Sequence, residues 1–177
     1  MKSLLLIALF FLAISLISSS GVSAEMKVVD KVDLQRYLGI WYEIATIPQR
    51  FQKGCVCVIA EYSLNAKGTI TVDNSCHKGT PEGKFSRVIG RAKVVPGSNN
   101  AKLRVSFFRP FWGDYWIVEL DPDYQWVVIS NSKGSTCWIL SRTRQMDEAL
   151  YADIVERCRA KGIDTSRLLK TLQECGK

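Results

Sequence analysis

From Gly39 to Arg142 the chain repeats one pattern: short runs in which apolar and polar residues alternate, broken by turn residues roughly every 8–14 positions. A period of two puts alternate side chains on opposite faces of a pleated strand. The spacing predicts strands over 41–46, 55–64, 69–74, 86–95, 102–108, 115–120, 126–130 and 136–142. The links carry hairpin chemistry: Asn65-Ala66-Lys67-Gly68, Pro81-Glu82-Gly83, Pro96 to Asn100, Asp121-Pro122-Asp123 and Asn131 to Gly134. Eight strands joined this way favour an all-β, up-and-down antiparallel barrel, because closing the sheet removes its unpaired edges.

The period changes only after Arg142. Asp147 can cap a helix that runs to about Lys161 and stops at Gly162. Leu150, Ile154 and Cys158 recur every four residues and form a stripe that docks the helix on the outside of the sheet. Residues 163–177 read as a loosely structured strap ending near Cys175.

Alternation also selects an inner face. Leu103, Val105 and Phe107 alternate with Lys102, Arg104 and Ser106, and Val88, Gly90, Ala92 and Val94 with Arg87, Arg91 and Lys93. Ile70 and Val72 lie opposite Thr71 and Asp73; Val56, Val58, Ala60 and Tyr62 lie opposite Cys55, Cys57 and Glu61. Tyr115, Ile117, Trp126, Val128 and Trp138 complete the candidate lining. Small residues such as Ala60, Gly90 and Ala92 leave volume, so the reading is an apolar cavity for one small ligand, unless the aromatics close it.

The ends and the composition narrow the class. Lys2, an apolar run over 4–17 and Val22-Ser23-Ala24 fit a cleaved secretory signal peptide at residues 1–24, leaving one domain over 25–177. The 177 residues carry 24 Lys+Arg against 17 Asp+Glu, a charge of +7; residues 1–24 hold one lysine and no acid, so +6 remains. That charge falls on outward positions (Arg87, Arg91, Lys93, Lys102, Arg104), where it solvates the surface or draws an anionic membrane; nothing points to nucleic acid. All six cysteines follow residue 24, which reads as up to three disulfides in an oxidising compartment. One Cys-x-Cys and a single histidine, His77, in a turn-like stretch, do not make a zinc site or a catalytic base. No GxSxG, HExxH or phosphate-binding glycine loop is present, so no cofactor and no catalytic residue is assigned.

These residues resemble the lipocalin family. Gly39-Ile40-Trp41-Tyr42-Glu43 is similar to the Gly-x-Trp signature opening the first strand, and Arg142 in Trp138-Ile139-Leu140-Ser141-Arg142-Thr143 to the third motif. Asp121 matches the aspartate of the second motif, whose usual flanking Thr and Tyr are Leu120 and Pro122 here. Ala60-Glu61-Tyr62-Ser63-Leu64 and Val105 to Phe111 extend the likeness along residues 25–177, closest to the bacterial lipocalins, with apolipoprotein D and the plant temperature-induced and chloroplastic lipocalins as relatives.

The resemblance implies a barrel closed at the end where the first strand begins. Trp41 would plug that end beneath the Arg142 guanidinium, and Gly39, Trp41, Asp121 and Arg142 would be architecture. The mouth would carry the links at 47–54, 77–85, 109–114 and 131–135, with Phe108 to Trp112 either gating ligand, packing on neighbours or meeting a membrane or partner. Barrel direction then pairs Cys137 with Cys158. Cys57 with Cys175 is a pairing that resembles apolipoprotein D, leaving Cys55 with Cys76; exchange of Cys55 and Cys57 stays open. No cysteine lies between Ala24 and Cys55, so a soluble, exported (periplasmic or secreted) protein is expected rather than a lipid-anchored one.

The function expected is binding of a small amphipathic lipid, a fatty acid or lysophospholipid, with its tail in the cavity and its head near Arg109. Tyr115 and Glu43 are further polar candidates, Glu43 more as a buried structural acid paired by a hydroxyl or by Arg142. Two alternatives stand beside it: enzyme or redox chemistry at Cys55/Cys57, and a basic surface that binds anionic membranes.

Overall fold

A computed structural model describes residues 25–66 and 68–175, so the proposed signal peptide lies outside the described residues. A single helical turn, α1 (Leu34–Tyr37), is capped by the Asp33 carboxylate and leads into β1 (Gly39–Thr46). Then follow β2 (Cys55–Leu64), β3 (Ile70–Lys78), β4 (Phe85–Val94), β5 (Lys102–Ser106), β6 (Gly113–Leu120), β7 (Trp126–Ser130) and β8 (Cys137–Ser141). Each strand pairs antiparallel with the next, and β1 pairs with both β2 and β8, which closes the barrel.

Helix α2 (Glu148–Ala160) starts where expected because Asp147 accepts hydrogen bonds from the Ala149 and Leu150 amides. Its Ile154 and Cys158 are fully buried against an outer cluster that includes Ile44, Trp116, Val118 and Ile139. Burying one such aliphatic side chain contributes roughly 1.5–3 kcal/mol.

The tail is not a loose strap. β1 and β2 stay paired only as far as Tyr42 and Ile59; beyond that, Cys57 adopts a positive φ of 55° and the two strands separate. The tail fills that seam. Its β9 (Leu169–Lys170) pairs with Thr46 and Ala45, Thr171 N–H donates to the Ile44 carbonyl, and Cys57 N–H donates to the Leu172 carbonyl. Buried Gln173 then bridges both strands, its Nε2 donating to the Glu43 carbonyl (2.9 Å) and the Val58 carbonyl (2.8 Å). No periodicity encodes this element, because its partners are the exposed backbone groups of two distant strands.

Two disulfides secure the mouth side, Cys55–Cys76 and Cys57–Cys175, with Cα atoms 5.5 and 5.8 Å apart. The expected third bond is absent: Cys137 and Cys158 are free thiols, both wholly buried. They do meet between β8 and α2, as the barrel direction requires, but as hydrogen-bonded thiols. That hydrogen bond, with burial, pushes the Cys137 thiol pKa up and disfavours the reactive thiolate. Cys55 and Cys57 are bonded to separate partners, so the proposed Cys-x-Cys redox pair does not exist as a dithiol.

Candidate functional site

The closed end is built as the sequence motifs imply. The Arg142 guanidinium lies 3.7 Å from the Trp41 ring centroid and donates to the carbonyls of Ile40, Arg36, Leu38 and, more weakly, Tyr37 and Tyr124. Trp41 is fully buried, its indole N–H donating to the Tyr37 carbonyl. Asp121 accepts from the Asp123 and Gln125 amides and holds the β6–β7 turn.

Above this plug stands a floor that the strand pattern did not reveal. Tyr37, brought in by α1, shares a 2.6 Å hydrogen bond with Tyr115, which donates to Tyr62 across 2.9 Å. Because the Tyr115 proton is engaged with Tyr62, Tyr37 must be the donor in the first link. Burial pushes the Tyr62 pKa up to about 12 and holds Tyr37 and Tyr115 well above their ordinary value. The space these rings leave among Ile70, Val72, Ala92 and Leu103 is ≈ 10 Å³, no more than about one water fills. Val72 and Ile117 are both buried within the inner cluster.

Higher up, the barrel opens. Val88 points inward directly opposite Asn74 on the neighbouring strand, yet 36% of its surface remains accessible. Phe107 packs directly against Gly90, where a Cβ atom would come within 2.6 Å of its ring, so a side chain there would displace it. Ala60, Asn74 and Val88 face one another across β2, β3 and β4, and the Asn74 Oδ1 is buried with no hydrogen-bond partner. From Val72 to His77 the wall rises about 17 Å along the strand.

On the β1 side the upper wall is polar. Trp138 Nε1 donates to Gln52 Oε1 (3.2 Å), Gln52 Nε2 to one Glu43 oxygen (2.5 Å) and the Thr171 hydroxyl to the other (2.5 Å). Burial raises the Glu43 pKa, and the Thr171 and Gln52 donors partly oppose it. Glu43 is therefore paired by a hydroxyl and an amide, not by Arg142.

Of the lining expected from alternation, Ala60, Val105, Phe107, Tyr115 and Trp138 pack in or on the inner cluster. Trp126 and Val128 do not: they belong to the outer cluster under α2, while Val127 and Ile129 face inward. The reason is that all of β7 is buried, one face on the barrel and one on the helix, so its run of apolar residues carries no alternation to read. Val58 follows the Cys57 bulge, and its carbonyl is held by the tail. Strand β3 continues to Lys78, so His77 is not in a turn; its Nδ1 lies 3.0 Å from the Gly83 carbonyl.

The rim divides in two. Phe51, Phe85, Phe108 and Phe111 are all more than half exposed, beside exposed Arg50, Lys53, Lys84 and Arg109. Trp112 instead folds onto the outer face, with Lys93 and Arg91 4.6 and 5.0 Å from its centroid. Other outward charge is paired locally: Arg87 with Asp73, Lys102 with Glu25.

Comparison with known proteins places this geometry. A family model described as a lipocalin-like domain matches residues 32–173. Temperature-induced lipocalin-1 of Arabidopsis thaliana is 44% identical over 158 residues, covering 84% of this chain and 83% of that protein. Outer membrane lipoprotein Blc of Vibrio cholerae is 34% identical over 155 residues (87% and 90%), and apolipoprotein D of Mus musculus 34% over 161 residues (86% and 83%). Among solved structures, insecticyanin from the tobacco hornworm Manduca sexta superposes with a TM-score of 0.65 at 21% identity, covering 82% and 83% of the two chains. Lobster apocrustacyanin A1 gives 0.62 at 20% (81% and 79%); both likenesses are of fold.

Proposed function

This chain belongs to the lipocalin family, and we propose that it binds and carries one small amphipathic lipid, a fatty acid or lysophospholipid, in the upper half of its barrel. The observation that carries this reading is the open apolar wall above the tyrosine floor, where inward-facing Val88 stays accessible and Phe107 packs against Gly90. Removing an acyl chain from water there contributes about 0.8 kcal/mol per CH₂. The unpartnered Asn74 Oδ1 offers an acceptor for a ligand hydroxyl, and Arg109 at the rim a cation for its head group.

Export is part of this reading, supported by the apolar run over 4–17 and by two disulfides. N-terminal sequencing of the protein from its host checks it, with Glu25 the expected first residue. The four exposed phenylalanines and their neighbouring cations make the open end the face through which ligand passes to or from an anionic lipid surface.

The test is displacement of a fluorescent fatty-acid probe from delipidated protein. Stoichiometric, micromolar displacement by oleate or lysophosphatidylethanolamine, weakened by Val88→Trp, is expected. Failure of the probe to bind at all ends the proposal.

A further inference from the structure

We propose a second binding site, outside the barrel, for a small organic carboxylate with an apolar body. It is a cleft of ≈ 350 Å³ on the outer surface of β2 and β3, of the size that small-molecule sites have. The strand register makes it separate from the cup: Ile59 and Ser75 pair across β2 and β3 and line the cleft, while their neighbours Ala60 and Asn74 face inward. The sheet itself is the partition.

Its chemistry is set by Arg144. This guanidinium lies over the Tyr42 ring, 4.8 Å from the centroid, and makes no hydrogen bond or ion pair with any described residue. Its Nη1 is shut off from solvent with no acceptor. A cation stripped of part of its hydration and given no counter-charge is costly, and a carboxylate in the adjoining cleft removes that cost through a planar, two-pronged contact. One more polar group is left for a ligand carboxylate: the Ser75 hydroxyl has no partner among the described residues, whereas His77 donates from Nδ1 to the Gly83 carbonyl, which leaves its Nε2 an acceptor.

The remaining walls are apolar: Ile59, Phe85 and the Cys57–Cys175 disulfide. Phe85 is held edge-on to His77, with ring centroids 5.6 Å apart, and is 56% exposed, so an apolar ligand body would cover a ring that now faces water. Charge selects against phosphate. Arg87, on the neighbouring strand, is already paired with Asp73, and the Glu82 carboxylate stands at the lip. One unpaired cation beside one carboxylate suits a singly charged anion.

The probe is benzoate, titrated into ¹⁵N-labelled protein and followed through the Ile59, Ser75 and His77 amide signals. Saturable shifts are expected, about tenfold weaker in Arg144→Gln and weakened in Phe85→Ser, an exposed change that leaves the fold intact should Arg144→Gln fail to fold. Benzyl alcohol, lacking the charge, and inorganic phosphate, lacking the body, should not saturate. Val88→Trp, which fills the cup, should leave the benzoate shifts in place. Absence of saturation, equal affinity in folded Arg144→Gln and Phe85→Ser, phosphate binding as tightly as benzoate, or loss of the shifts in Val88→Trp would each overturn the assignment.

Discussion

The Thr171 hydroxyl donates to Glu43 across 2.5 Å, joining the tail to the first strand at a carboxyl group that burial holds above its ordinary pKa of 4.5. An acid with a raised folded pKa keeps its proton more tightly in the folded state than in the unfolded one. Its contribution to stability is therefore full below pH 4.5 and declines as pH rises from there through the raised folded value. Urea titrations at stepped pH should show this decline in the native protein and a flatter profile in Glu43→Gln. At pH 7 that variant should differ by less than about 1 kcal/mol. Identical slopes for the two proteins would place the pH dependence elsewhere.

Arg142 is held by a ring and several carbonyls at once, so its loss uncaps Trp41 and strands the carbonyls of Ile40, Arg36 and Leu38. Arg142→Met should cost about 2–4 kcal/mol in urea unfolding. Arg142→Lys should recover little, because an ammonium cannot reproduce the planar fork.

In the floor, Tyr115 is the middle link. Tyr115→Phe leaves the Tyr37 proton without its acceptor and the Tyr62 oxygen without its donor, at about 1–3 kcal/mol. Tyr62→Phe breaks one link and should cost less. A smaller loss for Tyr115→Phe would show that the chain of hydroxyls is not what holds the floor.

For the proposed lipid, the floor also sets a limit on length. Across saturated fatty acids, affinity should rise with each CH₂ until the chain meets Tyr62 and Tyr115, and then level off. Tyr62→Ala should move the plateau to a longer chain. An unbroken rise through the longest soluble acids in the native protein would mean the floor opens.

The unbonded cysteines give a count. Native protein should present no thiol to Ellman's reagent, and unfolded, unreduced protein two, from Cys137 and Cys158. Opening the Cys57–Cys175 bond by Cys175→Ser releases a closure of 118 residues and should cost about 2–5 kcal/mol.

Much of this protein is written in its sequence where one face of an element is wet. β3, β4 and β5 alternate openly because their outer residues meet water, so the sequence alone marks Val72 and Val88 as inward, with Phe107 in phase just past β5. The Asp147 cap of α2, its Ile154–Cys158 stripe, and the Trp41–Arg142 plug are likewise local or motif-borne. What the sequence cannot carry is whatever depends on two distant segments becoming neighbours. The facing of Trp126 and Val128 was decided by α2 covering a strand with no polar side. The seam filled by Gln173 exists only because β1 and β2 diverge after Tyr42, and the placing of Arg144 over the Tyr42 ring, at a cleft it shares with Ser75 and the Cys57–Cys175 disulfide, is likewise a product of the fold. Periodicity records the contrast between water and core along one segment; burial on both faces erases that contrast, and the closure of a barrel brings together residues that no local pattern relates.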